Sequence, residues 1–467
     1  VAGAQAGEGV RRPAPAYGRR AILAGSATAL VTASLAGSAL GFLNKAACRA
    51  GAWNVGLEQY QAHCYTDIYP LYFGEGLSAG QVPYIGHPVE YPVIIGAAMQ
   101  AVAWIVSPIS NPYTRGREFF DVTVLLLAVC TIAGVLATAY LAGPSRRWTA
   151  LLVALAPALV LASFINWDLI AMSLTALGMA AWAARRGVLA GVLLGLAVAT
   201  KFYPLFLLGP LLVLCLRTGQ LRAWCVTAAS AAAAWLAVNV PVAVLAPGGW
   251  STFYRFNEAR GADWGSIWYF FEAEHWPVLG SLSLHVLNLA SVLIFGLACA
   301  GIAALILLAP RRPRLPQVFF LTVAAFLLCN KVWSPQYVIW LVPLAVLARP
   351  QIWSFVLWQV AEVAYFFGIW AYLITVSDAA GAAGTAGAAG AGGISAGVYF
   401  ATLLARFGAV LLLCGLVVRD VLQPGSDPVR RAGQDDPAGG VLDQAPDRLA
   451  LRLALRAPGP PATGAGR

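Results

Sequence analysis

The chain has 467 residues, 60% of them hydrophobic and only 11% charged, with a mean hydropathy of +0.73. A soluble domain carries about 25% charged residues, so this one has too few to cover a water-facing surface. The net charge of +10 gathers in short arginine clusters between apolar runs. That is the charge bias of membrane loops and excludes a nucleic-acid footprint, in which basic residues alternate with exposed aromatics.

In chain order, residues 1–20 are rich in Gly, Pro and Arg and read as a disordered cytoplasmic arm. They lack the cleavage site of a signal peptide, and the first apolar run, 21–42, is long enough to stay as an anchor. A polar, aromatic loop follows at 44–90, then apolar segments at 91–106, 119–140, 150–164, 169–184, 188–199, 202–216 and 224–245. A second polar loop covers 247–280, and further segments lie at 282–308, 318–328, 337–347, 352–374 and 398–418. These runs are continuous rather than alternating, which excludes a β-barrel. The expected fold is all-α: a polytopic transmembrane bundle over 21–418, with about 11–13 spans. The Ala/Gly stretch 379–397 reads as a flexible outer loop, and the tail 419–467 as disordered in the cytoplasm.

Charge bias sets the topology. With the arginine clusters in the cytoplasm, the loops 44–90 and 247–280 and the tips at Asn166–Asp168, Lys201–Pro204 and Lys331–Gln336 fall outside. Arg146 and Arg147 obey this only if 91–106 dips in and returns without crossing. The segments 188–199 and 202–216 are also short for a bilayer, so polar residues at their outer ends imply a bowl sunk into the outer leaflet.

Of the eight cysteines, six lie in apolar runs and read as small hydrophobes, whereas Cys48 and Cys64 share the first outer loop and can form a disulfide. No Cys or His spacing suggests a metal site.

Asp67 opens a short stretch with helical spacing, in which Ile68, Leu71, Tyr72 and Gly76 form an apolar face suited to a membrane surface. Its carboxylate is either an N-cap or a functional acid, and both readings stand open. Tyr84, His87, Glu90 and Tyr91 fall in a proline-rich entry to the bilayer, where an interface belt or a helix-dipole role competes with substrate contact. Asp168 interrupts a hydrophobic hairpin, and an intramembrane carboxylate needs a partner or a hydrated cavity. Lys201, beside Tyr203, and Lys331, near Gln336, each stand where two short helices meet. Two cations converging on one outer cavity suit a phosphate. Arg255 and Arg260 add charge from the second outer loop, among tryptophans suited to sugar stacking or to the interface.

The order of an outer-loop Asp, Glu90-Tyr91-Pro92, Asn166-Trp167-Asp168, Lys201-Phe202-Tyr203-Pro204 and Ser334-Pro335-Gln336-Tyr337 resembles the GT-C-fold glycosyltransferases. Within them it resembles family 87, the polyprenol-phosphate-mannose-dependent α-mannosyltransferases of actinobacteria. One proline, in Tyr91-Pro92-Val93, stands where two are usual in that family. The resemblance implies Asp67 as general base. Lys201 and Lys331, assisted by Arg255 or Arg260, would neutralise the lipid phosphate. Tyr84, His87, Glu90, Asp168, Tyr203 and Gln336 would position substrate. It further implies a lipid-linked sugar as substrate with no cofactor and no metal, a glycolipid or glycan acceptor, inversion, and a site on the outer face of the plasma membrane. The competing expectations are a transporter or flippase with broken helices, a non-catalytic scaffold, and an arabinosyltransferase of the same fold.

Overall fold

A computed structural model describes residues 16–382 and 392–449. Most of the expected 1–20 arm, the centre of the Ala/Gly stretch and the chain beyond 449 lie outside the described residues. Among those described there is no β-strand, and the chain is a bundle of helices. Six helices are long and apolar enough to cross a membrane: 25–44, Pro112–Ala142, Leu221–Leu245, Leu284–Leu308, 352–377 and Ala396–Leu422. Six more apolar helices have only 10–17 residues. The expected 11–13 spans therefore divide into six of full length and a set of shorter ones. The run 150–164 forms no single helix. Pro157 removes an amide and holds Ala156 out of helical geometry, leaving the pieces Leu151–Ala154 and Pro157–Ala162.

The short helices shape the site. Leu208–Thr218, Leu315–Cys329 and Val338–Ala348 each join an arginine at one end to a polar tip at the other. Fifteen residues at 1.5 Å reach about 22 Å, against about 30 Å of hydrocarbon. Their polar tips are thus recessed below the plane reached by the full-length helices. The outermost helices, Leu221–Leu245 and Leu284–Leu308, have only 11% and 17% of their apolar windows buried, so their side chains face lipid.

Val93–Val106 is one of the short helices, and the chain at either end of it is tied to the polar segments. Ile94 donates its amide to Ala199 O at one end. Just past the other end, Arg115 reaches Ser78 O in the 44–90 loop. Pro112–Ala142 then runs from this loop to the segment that bears Arg146 and Arg147.

The tail, expected to be disordered, is folded as far as 449 and covers the arginine-rich face. Asp427 pairs with the fully buried Arg314 at 2.8 Å, Asp447 with Arg217 at 2.6 Å, and Asp420 with Arg349. Trp182 Nε1 donates to Gly439 O at 2.9 Å, and Leu442 is buried in the core. The reason is electrostatic. Arginines carried inward by short helices need counter-charges, and the aspartates of the tail supply them.

Candidate active site

Thr66 and Asp67 are pinned to the bundle by hydrogen bonds to one turn of chain. Thr66 Oγ1 donates to Phe164 O at 2.6 Å, and the Asp67 amide to Ile165 O at 2.7 Å. Upstream, Cys48 and Cys64 form a disulfide with Cα atoms 5.7 Å apart, closing the loop three residues before Asp67. Asp67 precedes the helix Ile68–Gly74, yet its side chain caps no amide there. It accepts instead from Tyr65 Oη at 2.6 Å. Of the two readings left open by sequence, the N-cap is not the one adopted. Burial pushes the Asp67 carboxyl up to about 6, against the lowering effects of the Tyr65 hydrogen bond and the Lys201 charge. A carboxylate near 6 is ionised at neutral pH yet more basic than an ordinary aspartate, which suits general-base work.

Asp67 opens onto a cavity of about 810 Å³. The same wall holds Glu90, Asn166, Lys201, Tyr203, Arg260, Lys331 and Gln336. Residues from both polar loops and from three recessed tips therefore share one space. Lys201 arrives because Gly187–Val198 ends at Val198 and the chain turns into the 3-10 helix Tyr203–Leu207. Its ammonium sits 5.0 Å from the Tyr91 ring centroid and 3.4 Å from Asp168 Oδ1. Asp168 itself is wholly buried behind the wall. It accepts from Trp340 Nε1 at 2.8 Å, while its Oδ2 has no partner. Tyr203 stacks on Trp340 at 4.5 Å and holds that indole in place.

Lys331 also borders the cavity, but its ammonium donates to Glu258 O at 3.1 Å and Arg260 O at 2.5 Å. It thereby ties down the end of the helix Pro247–Ala259. Burial, then the nearby Arg260 charge, lower its pKa. Arg260 donates to Asp263 at 2.6 Å. Burial likewise raises the Glu90 carboxyl, opposed by Arg260 and Lys201.

Besides Asp168, three of the residues singled out by sequence lie off the wall. Arg255 is exposed and folds back to donate to Gly248 O at 2.8 Å, because its position on the helix faces away from the cavity. Tyr84, in a left-handed turn at φ +70°, donates to Pro92 O at 2.8 Å. A Cβ at Gly96 would meet its hydroxyl at 2.4 Å, so that glycine makes room for the ring. His87 sits beside Glu75 at 3.4 Å. Tyr84 and His87 thus brace the proline-rich entry from behind.

Other residues of this region were not singled out by sequence. Lys45 is fully buried, donates to Tyr65 O at 2.8 Å, and is pushed down to about 7 by burial. Arg406 lies between the Trp333 and Tyr365 rings at 4.0 and 4.2 Å and pairs with Glu362 at 3.0 Å. It also donates to Trp333 O at 3.2 Å, bracing the loop between Lys331 and Gln336. Arg406 stands inside an otherwise apolar span, and Lys45 directly follows one. That alone marks a buried pair, since intramembrane charges are costly and find partners. Among the described residues, no group of three or more His, Cys, Asp or Glu could hold a metal ion.

No curated protein matches the chain. The sequence pattern of glycosyltransferase family 87 matches residues 93–330, just over half of the chain. The matched span contains Asp168, Lys201 and Arg260, whereas Asp67 precedes it and Lys331 follows it. With an all-helical multi-pass bundle and a charged cavity at its recessed tips, the chain belongs to glycosyltransferase family 87.

Proposed function

We propose that the protein transfers a hexose, mannose being the leading candidate, from a polyprenyl-phosphate sugar to a glycan or glycolipid acceptor of the cell envelope. The site faces the outside of the plasma membrane, and transfer inverts the anomeric centre. The observation that carries this reading is the shared cavity wall of Asp67, Lys201, Arg260 and Lys331. In the displacement the acceptor oxygen bonds to the anomeric carbon as the bond from that carbon to the phosphate oxygen breaks. Asp67 takes the acceptor proton. The electron pair leaves on polyprenyl phosphate, and Lys201 and Arg260, with the remaining N–H of Lys331, meet the growing charge.

Within this reading Asp168 is a positioning residue. Its carboxylate holds the Lys201 ammonium at the wall, and Trp340 holds the carboxylate. Outward topology follows from the arginine clusters, which favour the cytoplasm. A site facing outward draws on donors that travel in the bilayer, so nucleotide sugars are not its substrates.

The test is transfer by the full chain in membranes, with radiolabelled polyprenyl-phosphate-mannose beside GDP-mannose and polyprenyl-phosphate-arabinose. Label passing to acceptor from the first donor alone supports the reading. Transfer from the nucleotide sugar, or from the arabinose donor in preference, overturns it.

A further inference from the structure

Three aromatic rings stand together on the Asp67 side of the cavity. Tyr65 stacks on Trp370 at 4.6 Å, Tyr60 lies 5.7 Å from Tyr65, and Tyr60 lies 5.9 Å from Trp370, with interplanar angles of 28°, 19° and 9°. All three line the cavity. Trp370 is only 3% exposed, and its Nε1 has no hydrogen-bond partner. A buried indole N–H ordinarily finds an acceptor. The helix that bears Trp370 continues the wall with Ile369, Leu373 and Ser377. Seven residues from Trp370 to Ser377 cover about 10 Å of helix. Lys201, Arg260 and Lys331 belong to other elements and contribute no charge to this strip.

We infer that the strip of Tyr60, Tyr65 and Trp370, extended by Leu373 and Ser377, is the acceptor subsite, and that its ligand is a carbohydrate longer than one sugar ring. The inference rests on the glycosyl-transfer reading above and adds to it where the acceptor lies. The base must touch the acceptor hydroxyl. Tyr65 both donates to Asp67 and stacks on Trp370, so whatever lies on the aromatic strip reaches the base first. A pyranose offers apolar C–H faces and a rim of hydroxyls. Aromatic walls with a few fixed polar groups are the complement of such a ligand, and the half-buried Tyr60 and Tyr65 rings offer such a wall to the cavity. A phosphate would instead seek the cations, and those lie on the remaining wall.

The experiment uses the full chain in lipid nanodiscs, with α-mannotriose as probe and mannose for comparison. Binding is read by saturation-transfer NMR and tryptophan fluorescence, without any donor lipid. Wild type should bind mannotriose at least five-fold more tightly than mannose. Y60A should weaken mannotriose at least five-fold, and W370F, which narrows the aromatic wall behind Tyr65, about three-fold. Lys201→Ala should leave mannotriose binding within two-fold. Failure of wild type to bind mannotriose, or equal binding by wild type, Y60A and W370F, would overturn the subsite. Sugar binding with this pattern, in a protein that makes no product from polyprenyl-phosphate-mannose, leaves the subsite standing and sinks the donor assignment instead.

Discussion

The Lys201 ammonium lies 3.4 Å from Asp168 Oδ1, while Asp67, the carboxylate it would complement in the reaction, shares the cavity wall with it and feels its charge. The cation is held from behind by a buried partner and presented from the front to the substrate. Removing that partner leaves the lysine without its ion-pair partner. Breaking a buried pair from one side costs about 3–5 kcal/mol. We expect Asp168→Ala to lower the melting temperature in detergent, and Asp168→Asn, which keeps the shape, to lower it less. Donor KM should rise in both. An unchanged KM in Asp168→Asn would remove Asp168 from the positioning role.

Asp67 titrates near 6, and the Tyr65 hydroxyl bond favours its charged form. Only the carboxylate accepts a proton, so kcat should fall as pH drops through about 6 and level off above about 7. Without the Tyr65 hydroxyl the charged form is less favoured and the carboxyl pKa rises. Tyr65→Phe should therefore move the acid limb of the pH–rate profile upward, by about one unit. A limb that stays in place would show that the titrating group is not Asp67.

Lys45 is buried beneath the same loop, with a pKa lowered from 10.5 to about 7. The unfolded chain thus binds a proton that the folded chain does not hold between those values. Stability on this account is fully present above about 10.5, declines as pH falls and reaches its floor below about 7, at about 1.4 kcal/mol per unit. Melting curves of wild type should rise between pH 7 and 9. Those of Lys45→Met should be flatter over the same interval. Equal slopes would show that Lys45 does not titrate in this range.

Arg406 and Glu362 brace the chain that carries Lys331 and Gln336 from two long helices. We expect Glu362→Gln to cost several degrees of melting temperature. Arg406→Lys should cost as much despite keeping the charge, because it loses both the fork and the stacking against Trp333 and Tyr365. Thermal scans of the two single variants and the double variant, read as a cycle, should show strong coupling. Additive losses would mean that the pair does not act as one unit.

Much of this site could be read from sequence because its charges stand out against apolar surroundings. Lys201 and Lys331 interrupt hydrophobic chain, Asp67 opens the helical stretch of the first polar loop, and the cavity unites them. The brevity of 188–199 and 202–216 was likewise enough to imply a recessed bowl. Aromatic residues carry no such contrast. Trp370 sits in a span whose aromatics read equally as core or lipid contact, and only packing places it against Tyr65. Arg255 and Arg260 are five residues apart on one loop, and their sequence does not show which faces inward; Arg255 stands on the helix and turns outward, whereas Arg260, extended just past its end, lines the cavity. The tail departs from its sequence reading for a different reason. Its Pro, Gly and Asp composition reads as solvated, yet its aspartates answer arginines more than a hundred residues away, as Asp427 does Arg314.

The most direct test of the central assignment is a single-turnover assay in membranes with labelled polyprenyl-phosphate-mannose. Wild type should be measured beside Asp67→Asn and Lys201→Met, with protein levels and melting temperatures matched. A positioned base is worth about 10²–10⁴-fold. We expect Asp67→Asn to lose at least a hundredfold in transfer rate while still binding donor, and Lys201→Met to lose both donor affinity and rate. Wild-type turnover in Asp67→Asn would contradict the assignment outright.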